Sequence, residues 1–335
     1  MRESEQVPTI EPAPAATSTP AGRVAASAGL VAFALVIVYL VWGSTYLAIR
    51  VVVRQAPPLT ASGARYVVAA ALLGLLLSTR GGWRRLRVTR RELLGCATVG
   101  LFLPVLGNGL VSVGENKGAP SGVTALLIAL APLMIAIFRF SSGDRPKPVS
   151  LLGVLLGLVG LGYLVIAGRS GTGAEHVPFG AALIVLVASS FWAFGSWVQP
   201  RLWLPKDAFV MTVHEMWTGG VVLLVAGFAR GEHPHPLDYS AHAWLAWGYL
   251  VVFGSMAAFT AYVWLLGNAP ISLVATYAYV NPVVAVILGA LILDEPVTSA
   301  VLVGGAVIVV AVAIVISAER IRTPRSEAGP EPVST

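Results

Sequence analysis

Ten stretches of about 20 residues, each nearly free of charge, succeed one another between Ala28 and Ala318. About 20 apolar residues in helical conformation span the hydrocarbon core of a bilayer. Lipid offers nothing to bond to an exposed N–H or C=O, so such stretches must close their backbone hydrogen bonds internally, as helices. The pattern therefore predicts an all-α integral membrane protein with ten transmembrane helices, near 29–49, 59–78, 93–113, 119–140, 150–168, 178–198, 209–229, 243–265, 271–292 and 298–317. Composition agrees: charged residues are 11% of the chain and mean hydropathy is +0.80, whereas a soluble domain carries about 25% charge.

The flanks differ in kind. Residues 1–27 are rich in Pro, Ala, Ser and Thr and lack the periodicity to fold, so they are expected to form a disordered cytoplasmic tail. Residues 319–335 form a second cytoplasmic tail. The net charge of +6 does not indicate nucleic acid, because the basic residues sit in short segments between apolar runs. Cys96 is the one cysteine. It allows no internal disulfide, and the sequence shows neither a metal-ligand cluster nor a cofactor motif.

Orientation follows from lysine and arginine, which favour the cytoplasmic side. With the N-terminus inside, sixteen fall on cytoplasmic segments, six of them between Arg80 and Arg91. Five fall outside: Arg50, Arg54, Lys117, Arg169 and Arg230. Both termini are then cytoplasmic and the number of spans is even.

A shift of 150 residues superposes scarce residue types without a gap. Trp42 falls on Trp192, Pro120 on Pro270, Pro132 on Pro282, and Asp144 on Asp294. Five spans per half is an odd number, so the second half (174–318) enters the membrane upside down relative to the first (28–168). Inverted repeats of this kind build secondary transporters, with the substrate near the midplane between the halves. No nucleotide-binding loop or soluble insert accompanies them.

Several residues could line that site. Trp42, Ser44 and Tyr46 in the first span answer to Trp192 and Ser196 in the sixth; they serve either interfacial anchoring and helix packing or cavity lining, and the paired recurrence favours the cavity. Asn108 lies mid-span between Gly107 and Gly109. Tyr277 and Asn281, four apart on one helix face, precede Pro282. Pro132 and Pro282 each remove a backbone hydrogen bond and are expected to break the fourth and ninth spans. The buried charges are costly. Arg65 and Glu215, again 150 apart, sit about 12 Å from each other in depth by helix rise, so local pairing or snorkelling is expected for Arg65. Glu215 beside His214 is a proton-relay candidate. Glu115 reads as part of a solvated outer loop, Asp294 and Glu295 as span-end charges, and Gly153, Gly157, Gly160 and Gly162 as a helix-packing stripe.

At these residues the chain resembles the EamA-type members of the drug/metabolite transporter superfamily. The resemblance covers about 30–318. It rests on Trp42-Gly43-Ser44-Thr45-Tyr46, Arg65, Pro120-Ser121-Gly122 followed by Ala125-Leu126-Leu127 and Pro132, Trp192-Ala193, Tyr277-Ala278-Tyr279-Val280-Asn281-Pro282, and Glu295. It implies a 5+5 helix fold with a central cavity, in a bacterial inner membrane, exporting metabolites, amino acids or toxic compounds. Such proteins often carry Gly-Glu after both the fourth and ninth spans; here the fourth is followed by Gly143-Asp144. The partners expected are a small-molecule substrate, the lipid bilayer and a coupling ion such as H+, with homo-oligomer formation open. A channel or sensor, or a membrane-embedded enzyme, are the alternatives. The enzyme would need clustered catalytic groups at one depth, which His176, His233, His235 and His242, in or beside loops, do not provide.

Overall fold

A computed structural model describes residues 28–141, 148–169 and 178–320. The two expected tails, apart from 319–320, and the segment holding Asp144 lie outside the described residues. The chain folds into α1 (Ala28–Val53), α2 (Pro58–Gly81), α3 (Arg90–Asn116), α4 (Ser121–Ile128), α5 (Ala131–Ser141), α6 (Pro148–Arg169), α7 (Phe179–Val198), α8 (Ala208–Ala229), α9 (Ala241–Asn268), α10 (Ile271–Val274), α11 (Tyr277–Leu293) and α12 (Ser299–Arg320). Among the described residues there is no strand. Among the described residues, eight helical spans are long and apolar enough to cross a membrane, and the apolar stretches Pro148–Leu164 and Val280–Leu293 are shorter. The last helix continues to Arg320, past the expected boundary at 318.

Local chemistry sets several ends. Pro58 occupies the first turn of α2, where its missing N–H costs nothing. Thr89 and Glu92 form a reciprocal capping box on α3. Asp207 accepts from Phe209 N to cap α8 and also pairs with Arg85 at 2.7 Å; both partners of that pair are about one-third exposed, so it adds little stability.

The packing obeys the repeat. Helix α2 lies on α8 and α6 on α12, each against its own 150-residue mate. Contacts of α3 with α7 and α8 are matched by those of α9 with α1 and α2, and α4 meets α11. Glycines permit the closest approaches. A Cβ on Gly220 would stand 2.9 Å from Val67 N and 3.0 Å from Gly63 O. Gly220→Leu should therefore push α2 and α8 apart and destabilise the protein by about 1–3 kcal/mol or more, read as a lower melting temperature in micelles. Gly162→Ala, with open space around it, should change that temperature little. Gly153, Gly157 and Gly160 do pack, against α12 or Leu133, while Gly162 faces no neighbour.

One of the two expectations about helix breaks needs correction. The fourth span does break ahead of Pro132, at Ala129–Leu130, and the Ile128 carbonyl four residues before the proline accepts from Ser189 Oγ at 3.3 Å. The ninth span breaks at Ala275–Thr276, upstream of Pro282, which lies inside α11. Thr276 sits at the break, where its hydroxyl bonds the Leu273 carbonyl at 2.5 Å and meets the Tyr39 hydroxyl. Tyr277 and Asn281 thus follow the break instead of preceding it.

Candidate functional site

Three segments of wider, π-type winding interrupt the long helices: Val38–Trp42 in α1, Leu101–Gly109 in α3 and Leu250–Phe259 in α9. The latter two correspond under the 150-residue shift. Wider winding leaves backbone groups available and often marks a functional site. All three face one cavity, lined by Trp42, Thr45, Tyr46, Arg65, Asn108 and Trp192 among others. Its volume is ≈ 40 Å³, room for a few water molecules and much less than the roughly 300 Å³ or more of a typical ligand pocket.

One wall is aromatic. The Trp42 and Trp192 rings meet edge to face at 5.3 Å, and Tyr262 and Tyr277 lie 4.8 and 5.6 Å from Trp42. Trp42 Nε1 donates to the Gly254 carbonyl at 3.3 Å, in the wide-wound part of α9. Trp192 Nε1 is buried without an acceptor. It lies beside Tyr262 and Tyr277.

The other wall is polar. Arg65 is 4% exposed and donates from Nη2 to Asn108 Oδ1 at 2.8 Å, with its guanidinium 4.2 Å above the Tyr66 ring. It is the one charged residue among those lining the cavity. Its Nε has no partner. Gly107 lets the α3 backbone approach Trp192: a Cβ there would stand 2.8 Å from the indole.

The remaining candidates support the walls. Ser196 bonds the Tyr262 hydroxyl at 2.7 Å and its own helix at Trp192 O. Ser44 bonds Val41 O and the Tyr249 hydroxyl at 2.8 and 2.5 Å. Asn281, with its amide oriented by its neighbours, donates to the carbonyls of Tyr39 and Tyr277 at 3.1 and 3.3 Å and also meets Tyr46. The structure thus brings Trp42, Tyr46, Arg65, Asn108, Trp192 and Tyr277 to one cavity.

It does not bring His214 and Glu215 there. His214 Nε2 bonds the Leu86 carbonyl at 2.9 Å, whereas Glu215 is fully buried with both oxygens unpartnered. No ion pair joins Arg65 to Glu215 among the described residues. Glu115 is not in a solvated loop: it is 0% exposed, because α1, α4 and α7 cover the end of α3. Sequence reasoning also missed Thr45, Tyr66, Phe259 and Tyr262. The last two fall on Gly109 and Ser112 under the 150-residue shift, so the repeat gave no hint of them.

Comparison with known proteins agrees with this architecture. The EamA-like transporter family model matches twice, at 29–166 and 179–317. The uncharacterized inner membrane transporter YedA of Escherichia coli K12 is 40% identical over 256 residues, 76% of this chain and 80% of that protein. An uncharacterized transporter of Bacillus subtilis, YvbV, is 25% identical over 285 residues, 84% and 90% of the two chains. A probable amino-acid metabolite efflux pump of E. coli K12 is 24% identical over 271 residues, 78% and 86% of the two chains. A solved crystal structure with 20% identity matches in fold with a TM-score of 0.60, covering 89% of this chain and 100% of that one. With two family matches spanning most of its length and a relative at 40% identity, the chain belongs to the EamA-like transporter family and is a membrane transporter.

Proposed function

We propose that the protein is a secondary transporter that exports an amphipathic small molecule, such as an amino acid, by alternating access. In this reading ten helices form two inverted five-helix repeats, 28–168 and 174–318, in a bacterial inner membrane with both termini cytoplasmic. The observation that carries it is the cavity between the repeats, with an aromatic wall at Trp42 and Trp192 facing the Arg65–Asn108 pair. Aromatic faces suit an apolar body, and a guanidinium suits a carboxylate or another acceptor. At ≈ 40 Å³ the cavity is closed down, as a state between the two open forms would be. A named efflux pump among the relatives and the arginine bias of the sequence support the direction and orientation.

Efflux of radiolabelled amino acids from proteoliposomes, with and without a proton gradient, tests the transport reading. A cysteine at position 85, in a Cys96→Ala background, tests the orientation: an impermeant maleimide should label it in inside-out vesicles and not in intact cells. Labelling in intact cells would reverse the topology, and no movement of any amino acid would remove the substrate class.

A further inference from the structure

Glu115 sits at the end of α3 with no exposed surface, and neither carboxyl oxygen has a hydrogen-bond partner. A native protein rarely leaves such a group unsatisfied without use for it. The nearest cation is Arg50 on α1, yet its Nη1 donates to the main-chain carbonyl of Glu115 and its Nε is also unpartnered. The pair makes no ion pair in this conformation. Tyr46 on α1 and Glu295, beyond α11, are the other titratable groups facing Glu115. From α4 it meets Thr124, whose hydroxyl is unbonded. Helix α7 places Val185 and the Ala181 carbonyl against the neighbouring Gly114, and α2 places Ser62 against Ser112.

Glu295 is served quite differently. It accepts from Ser121 N at 3.0 Å, Ser121 Oγ at 2.7 Å and Gly122 N at 3.3 Å, at the N-terminus of α4. Three donors at a helix N-terminus thus meet its carboxyl group.

We propose that Glu115 is a proton-binding site that controls opening of the cavity at its Glu295 end. With the proton on Glu115, Arg50 stays on the main-chain carbonyl and Glu295 stays on α4, which is the arrangement seen. When the proton leaves to water, a carboxylate appears between Arg50 and Glu295. Arg50 is drawn from the carbonyl to the carboxylate, and Glu295 is repelled from its place on α4. Arg50 then holds α1 to α3 through the carboxylate instead of the carbonyl, while α4, whose Ile128 lines the cavity, loses its tie to Glu295, and the cavity opens at this end between α4 and α11. The inference rests on the transporter reading for its purpose, although its test needs no substrate.

The protein with Cys96→Ala and Thr45→Cys carries a single thiol on the cavity wall. Its labelling by an impermeant maleimide, added to the Glu295 side of right-side-out vesicles, is measured against pH and normalised to labelling of the denatured protein. Labelling should rise with pH, by no more than about tenfold per pH unit for one proton. Glu115→Gln, which keeps the shape of the side chain and cannot lose the proton, should stay low at every pH. Infrared difference spectra of the Cys96→Ala protein between low and high pH should show a carboxylic-acid carbonyl band that Glu115→Gln removes, a check independent of gating. An unchanged pH profile and an unchanged band in Glu115→Gln overturn the proposal. A flat profile in the parent does the same. Neither result touches the transport reading, which the efflux assay decides separately.

Discussion

Replacing Trp42 with alanine should lower transport at least tenfold at full expression, and Trp192→Ala should do the same. Trp42 touches three aromatic rings within 5.6 Å, and each such contact contributes about 0.5–1.5 kcal/mol beyond area burial. A solute that shares this wall loses a comparable amount when one member goes, and about 1.4 kcal/mol is a factor of ten in affinity. The loss should fall mainly on apparent KM. Trp42→Phe separates wall from scaffold: it retains ring contacts and loses the bond from Nε1 to the Gly254 carbonyl. It should recover most of the transport. If both alanine variants transport normally, the cavity is not the solute's path.

The Trp42–Trp192 contact was legible in the sequence because pseudo-symmetry brings equivalent residues of paired helices toward one axis, and tryptophan is scarce enough for its recurrence to register. The same reasoning failed where the halves differ. Helix α3 contributes Gly109 and Ser112 where α9 contributes Phe259 and Tyr262. A symmetry search finds matches and passes over such differences. The wide winding of α3 and α9 was likewise hidden, since hydropathy is blind to hydrogen-bond register. Glu115 was misread for a third reason. Counting residues along α3 places it near a loop, yet burial depends on which helices cover that end, and Arg50 and Glu295 come from segments 65 and 180 residues away. For Pro282, the proline is accommodated inside α11 and the break lies six residues upstream at Thr276, a position that no breaker residue marks in the sequence.

Arg65→Ala should be the most damaging change on the polar wall, lowering transport about tenfold to a hundredfold. The substitution takes the charge from the cavity lining and leaves Asn108 Oδ1 without its donor. A hydrogen bond to a charged group contributes about 1.5–3 kcal/mol, which converts to that range. Stability should suffer less than transport, because a large cation held in an apolar bundle gives back part of its desolvation cost when removed. Arg65→Lys separates charge from geometry. Lysine keeps the cation but cannot lie flat on Tyr66 while donating to Asn108, as the guanidinium does at 4.2 and 2.8 Å. If the solute is held by its negative charge, Arg65→Lys retains substantial transport, and neutral analogues of the solute are poor substrates for the wild type. If the fork and its stacking matter more, Arg65→Lys fails nearly as badly as Arg65→Ala, and Asn108→Ala should fail with it because the guanidinium has then lost its support. Wild-type transport in Arg65→Ala would show that this cation serves helix packing alone.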